Sequence, residues 1–308
     1  MIFVEKKPSL ITHSRKKQKP PSTNRSRRKF LKLMAGLGIF AAANPLYAYA
    51  LERKWLHIER IKLTFASLPK VWNGLKIAHF SDFHLGFFQE IDRLRTVVEK
   101  INLEQADLIC FTGDFMDHSV GSNEAKTYYD EAVSVLSQLA TKQRFAVLGN
   151  HDYAIGPPFI TDLFEKAGFQ MMTNRSILLT KNDVPIKIVG LDDGLNGRPE
   201  PMHAWGMVPE AEFTIFLMHE PDFGDYVGRN PWQLQLSGHS HGGQIRIPLI
   251  GALVVPPLGR KYIDHLYRID DDKYVFTTRG VGTTKLPLRY LCRPEIAVIE
   301  LYSGEGKS

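Results

Sequence analysis

The sequence predicts an α/β fold, a four-layer α-β-β-α sandwich in a single domain, on three observations. Its first half alternates apolar strand runs with helix-periodic segments, and its second half is rich in strands. Residues with metal-binding chemistry fall just after the apolar runs. With 308 residues, 44% of them hydrophobic, the chain can bury a sizeable core.

Residues 75–80 read as a strand that stops at Ser81-Asp82. Residues 91–103 carry apolar side chains at Ile91, Leu94, Val97, Val98 and Ile101, a helical period. The pair then recurs, with a strand at 107–112 ending at Gly113-Asp114 and a helix at 125–139. A strand at 145–148 ends at Gly149-Asn150-His151-Asp152, and a helix follows at 158–167. Strands are expected thereafter at 176–180, 185–191, 213–218, 233–237, 244–247, 274–278 and 296–301. Asp82, Asp114, Asn150, His219 and His239 each follow a strand at its C-terminal end, where sites in α/β sheets gather.

Charge divides the chain. Residues 1–50 hold eleven Lys or Arg against one acid, a balance of +10, and residues 51–308 carry −4. A mildly acidic domain argues against general nucleic-acid binding, and so against a nuclease. Ser26-Arg27-Arg28-Lys29-Phe30-Leu31-Lys32, the apolar stretch 33–43 and Ala48-Tyr49-Ala50 form a basic region, a short apolar core and a small-x-small site. That order describes an export signal, and the paired arginines resemble the twin-arginine type. The apolar stretch is short for a membrane span, which needs ~20 residues, although an uncleaved anchor is the alternative. The expectation is a leader at 1–50 that engages the twin-arginine export machinery, and a domain at 51–308. Its destination would be the periplasm, the cell wall or the outer face of the membrane. Cys110 lies in an apolar run and reads as a small buried hydrophobe, with a disulfide to the sequence-distant Cys292 as the lesser alternative.

Taken singly, Asp82-Phe83-His84 or Gly113-Asp114 carries little weight, and a lone His219 reads as a core histidine. Gly149-Asn150-His151-Asp152 says more, because the glycine permits a tight turn off a strand into three metal-capable or titratable side chains. Gly238-His239-Ser240-His241-Gly242-Gly243 sets two histidines on one side of a glycine-flanked loop. The conjunction decides, since all five fragments occur in one order, each at the end of an expected strand.

In that order the fragments resemble the calcineurin-like metallophosphoesterase superfamily. The segments around His219, His239 and Arg279, together with the leader, resemble its exported bacterial YkuE and YaeI group. The resemblance implies two divalent metal ions, with Asp82, His84 and His241 on one, Asn150, His219 and His239 on the other, and Asp114 bridging. Mixed carboxylate, amide and imidazole donors suit Mn, Zn or Fe better than Ca. A hydroxide held by both metals would attack phosphorus in line, His151 would protonate the leaving oxygen, and Asp152 would orient His151. Substrate candidates are phosphomonoesters, phosphodiesters, and lipid or cell-envelope diphosphates, including UDP-2,3-diacylglucosamine by resemblance. A metal-binding scaffold without turnover would show a lost ligand or a replaced His151, and neither is seen.

His57, His79, His118, His203 and His265 read as surface or strand-end histidines, with His118 near enough to the Asp114 loop to reach substrate. Asp192, Asp193 and Arg279 lie at strand ends and are candidates to support the site or to contact substrate. Arg289 and Arg293 read either as phosphate contacts or as partners of surface acids.

Overall fold

The computed structural model describes residues 23–88 and 90–304. By compactness the chain divides into Met1–Asn44 and Pro45–Ser308. In the first unit the described residues are helical and belong to α1 (Thr23–Ala50), which carries Arg27 and Arg28. The leader's first basic residues lie outside the described residues. No described helix is long and apolar enough to cross a membrane.

In the second unit, β1 (His57–Phe65), β2 (Leu75–Phe80), β3 (Leu108–Thr112), β4 (Gln143–Val147) and β5 (Gln170–Met171) alternate with α2 (Ile91–Glu104), α3 (Ser122–Leu136), α4 (Asn150–Ile155) and α5 (Pro157–Lys166). Then come β6 (Arg175–Lys181), β7 (Val184–Gly190), α6 (Pro201–Gly206), β8 (Thr214–Leu217) and β9 (Leu234–Ser237). A small hairpin, β10 (Arg246–Ile247) with β11 (Gly251–Ala252), precedes β12 (His265–Asp270), β13 (Lys273–Thr277) and β14 (Glu295–Ser303). Two six-stranded sheets result, ordered β1-β14-β2-β3-β4-β5 and β12-β13-β9-β8-β7-β6. The β2-β3-β4-β5 and β7-β8-β9-β13 ladders are parallel, so their C-terminal ends lie along one edge of each sheet.

Side-chain alternation along the strands builds the layers. On β3, Leu108 and Cys110 join the cluster packed between the sheets, while Ile109 and Phe111 face the cluster shared with α2, α3 and α5. On β8, Ile215 and Leu217 face inward and Phe216 packs with Trp205 of α6. Helix, sheet, sheet, helix is therefore the order of layers, as the sequence predicts. Each fully buried Leu, Ile or Phe contributes ~1.5–3 kcal/mol by leaving water. Cys110 and Cys292 are both buried and free.

Candidate metal centre

Both sheets feed one site. Asp82 and His84 follow β2, Asp114 follows β3, Asn150 opens α4 after β4, His219 follows β8, and His239 and His241 follow β9. Asp82, His84, Asp114, His239 and His241 all have φ between 52° and 68°, a left-handed backbone that L-residues rarely adopt. Such strain persists only where the surroundings over-determine it, and here it turns each side chain back over its strand end. Close packing makes the turns possible. A Cβ on Gly238 would lie 2.2 Å from both Asp82 Oδ2 and Ser81 Oγ, and one on Gly113 would lie 2.6 Å from His219 Nδ1.

Six of the seven expected ligands converge in two groups, and Asn150 lies on the lining of the cavity beside them. Nε2 of His241 lies 3.4 Å from Asp82 Oδ1 and 3.0 Å from His84 Nε2. Asp114 Oδ2 lies 3.7 Å from His84 Nε2 and 3.3 Å from His219 Nε2, so one carboxylate stands between two groups. His239 Nδ1 completes the second group at 3.2 Å from His219 Nε2. Asp82, His84 and His241 form one set with metal-holding geometry, and Asp114, His219 and His239 form another.

The opposite ring nitrogens are anchored outward. His84 Nδ1 meets Asp117 Oδ2 at 3.0 Å, His219 Nδ1 meets the Thr112 carbonyl at 2.6 Å, and His239 Nε2 meets the Pro257 carbonyl at 2.9 Å. An oxygen acceptor at one nitrogen places the proton there and leaves the other nitrogen as an inward lone pair, the arrangement of metal-ligating histidine. Asn150 Oδ1 is buried without a hydrogen-bond partner. Inward lone pairs and an unpartnered amide oxygen fit divalent cations, which would satisfy them all.

Charges within the cluster oppose one another. Burial disfavours ionised Asp114, but the charge and hydrogen bond of His219 hold its carboxyl well below the usual range. Burial, reinforced by the charge of His219, pushes the His239 imidazole down to about 4.

His151 is half-buried beside both groups, its Nε2 4.0 Å from Asp114 Oδ2. The carboxylate beside it is Asp117, whose Oδ2 lies 3.3 Å from His151 Nδ1. Asp152, expected to orient His151, is turned away. It accepts the backbone N–H groups of Asp114, Phe115 and Gly149 at 2.9, 2.9 and 3.0 Å and so ties the β3 and β4 loops together. Burial and the charge of Asp114 raise its carboxyl to about 7. Asp117 is the residue that sequence reasoning passes over. It lies in the stretch that drew attention to His118, whose Nδ1 sits 2.8 Å from His151 Nδ1.

The remaining candidates are supports. Asp192 accepts the Tyr153 hydroxyl at 2.5 Å, and Asp193 accepts the N–H groups of Leu195 and Asn196. Arg279 pairs with Glu295. Arg289 is wholly buried and donates to the carbonyls of Gly282, Arg279 and Cys292, so it contacts neither phosphate nor a surface acid. Arg293 stacks 4.1 Å over the Trp55 ring. His79, also wholly buried, bonds Thr112 Oγ1 at 2.8 Å.

A cavity of about 530 Å³ opens over Asp114, Asn150, His151, His239 and His241.

The model of the calcineurin-like phosphoesterase family matches residues 75–243, which hold the seven expected ligands, Asp117 and His151. The chain is 34% identical over 285 residues to an uncharacterized metallophosphoesterase, YkuE, of Bacillus subtilis, covering 90% of this chain and 98% of that one. It is 29% identical to the phosphodiesterase YaeI of Escherichia coli, over 90% and 99% of the two chains. It is 26% identical to the UDP-2,3-diacylglucosamine pyrophosphatase LpxG of Chlamydia muridarum, over 82% and 92%. With the fold, the converging donors and these matches in agreement, the chain belongs to the calcineurin-like phosphoesterases and is a metal-dependent hydrolase of phosphate esters.

Proposed function

We propose that the chain hydrolyses phosphodiesters at a two-cation centre, with Asp82, His84 and His241 on one cation, Asn150, His219 and His239 on the other, and Asp114 shared. The observation that carries this reading is the outward anchoring of His84, His219 and His239, which leaves their free nitrogens converging around one buried carboxylate. Two divalent cations held there, Mn, Zn or Fe by donor type, would supply Lewis-acid polarisation of the phosphoryl oxygens and lower the pKa of a bound water towards neutral pH.

The chain's own residues do the rest. His151 presents Nε2 towards the cluster and delivers its proton to the leaving oxygen as the P–O bond breaks, while the water oxygen makes the new bond to phosphorus. Asp117 holds His151 at Nδ1 and His84 at Nδ1, so one carboxylate orients both the acid and a ligand. Asp152 keeps the loops carrying Asp114 and Asn150 in register through their backbone.

The relative named as a phosphodiesterase supports a diester substrate. The relative named as a UDP-2,3-diacylglucosamine pyrophosphatase favours a second reading, a lipid-linked diphosphate. The test is hydrolysis of bis(p-nitrophenyl) phosphate and p-nitrophenyl phosphate by protein stripped of metal and then given Mn or Zn. Turnover should return with metal and favour the diester in kcat/KM, and a preference for the monoester would overturn the diester reading.

Export by the twin-arginine route to the periplasm, cell wall or outer membrane face is the companion proposal, resting on Arg27-Arg28 and the apolar stretch after them. Replacing both arginines by lysine should retain the protein in the cytoplasmic fraction. Unchanged export would refute it.

A further inference from the structure

We propose that this site takes its phosphoester from an anionic lipid surface, with the β10–β11 hairpin seated on the lipid and an alkyl or acyl arm of the substrate lying in the cavity beside the metal centre. The proposal rests on the phosphodiesterase reading above and names its substrate class.

The cavity wall points to the arm. Beyond the cluster, the wall is formed largely by Leu195, Ile245, Leu253, Val254, Pro256 and Leu286. Its polar groups are mostly spent. Gln244 donates to the carbonyls of Thr284 and Leu286 and accepts the Thr284 N–H, and Ser240 donates to the Ile263 carbonyl. Among the described lining residues no aromatic ring other than the histidines is present on which a nucleobase could stack. Such a wall is built for methylenes, which gain by leaving water, and has little with which to read a base or a sugar.

The rim points to the surface. Leu249, at the tip of the hairpin, is fully exposed, and Ile250 and Val254 are 71% and 68% exposed. Leu249 also sits at φ 69°, so a branched apolar side chain is held out to water on a left-handed backbone. A contiguous exposed apolar rim of this kind marks an interaction surface. The charge identifies the partner. Residues 242–263 and 280–293, which flank the cavity, contain no acid and six basic residues, of which Arg289 is wholly buried. Arg246 and Lys261 are paired with Asp264 and Asp225. Lys285, on the cavity lining, and Arg260 make no ion pair among the described residues and are available to anionic headgroups.

The experiment uses full-length, metal-loaded protein and p-nitrophenyl phosphodiesters that share one scissile bond. Methyl and octyl esters are given in solution below the micelle concentration, and the hexadecyl ester in vesicles of equal phosphatidylglycerol and phosphatidylcholine. The octyl ester should exceed the methyl ester in kcat/KM by about ten-fold or more, since each buried methylene favours binding roughly four-fold. The Leu249→Asp, Ile250→Asp double variant should lose at least about ten-fold more turnover on the vesicle-borne ester than on the methyl ester. Because wild type and variant share the same leader, its own lipid contacts cancel. Equal kcat/KM for methyl and octyl esters would overturn the cavity assignment. An equal effect of the double variant on both presentations, or undiminished turnover in pure phosphatidylcholine vesicles, would overturn the lipid surface. No turnover of any of the three esters by wild type would remove the phosphodiesterase reading beneath both.

Discussion

Asp117 holds two imidazoles at once, and its contacts explain why neighbours in sequence are poor guides to function here. Asn150, His151 and Asp152 open a helix, on which consecutive side chains point in different directions, so Asp152 cannot face the ring of His151. Asp117 reaches it from another strand end, through a loop whose path the sequence does not show. The converging side chains themselves were legible, because glycines and strand-end positions mark the loops that present them. Replacing His151 with Ala should lower turnover by ~10²- to 10⁴-fold and leave metal content unchanged. Loss of metal as well would make His151 a ligand. Asp117→Asn keeps the shape and removes the charge behind His84, and should weaken metal binding by ~10- to 100-fold in a metal titration. An unchanged affinity would show that the carboxylate does not support the His84 site.

Parallel strands such as β3 and β8 were legible as apolar runs because both of their faces are buried, one by the facing sheet and one by helices or loops. Of the four edge strands of the two six-stranded sheets only β6 was. β1 carries Glu59, Arg60 and Lys62, and β12 carries Arg268 and Asp270, the charges that edge strands tolerate and that hide their period. β5 and β11 are two residues each, too short to leave a pattern. What the elements share is close approach at their ends. Gly238→Ala should drive a methyl into Asp82 and Ser81, costing about 1–3 kcal/mol in thermal unfolding and most of the metal at the Asp82 site. Full metal binding in that variant would mean that the β9 turn has room which the packing denies.

Two sheets meet at one centre, so the whole molecule should be stabilised by what it binds. Asp82, His84, Asp114 and Asn150 come from the first sheet, and His219, His239 and His241 from the second. Metal at 1,000 times its Kd should add about 4 kcal/mol to unfolding, seen as a fall in Tm on chelation. Acid should weaken the core as well, because burial depresses His79 to about 3. The unfolded chain takes up that proton near pH 6.5 and the folded one does not. Stability from this group is therefore whole above pH 6.5 and lost as pH falls towards 3, at up to ~1.4 kcal/mol per pH unit. His79→Gln should flatten that slope in pH-dependent denaturation, and an unaltered slope would place the acid sensitivity elsewhere.

If seven side chains from two sheets hold two cations around one shared carboxylate, the stripped protein must take up two ions as Mn or Zn is added back, with hydrolysis of bis(p-nitrophenyl) phosphate followed in the same samples. Two ions per chain, with turnover rising as the second site fills, is the predicted result. Saturation at one ion, or turnover that does not depend on metal, would contradict it.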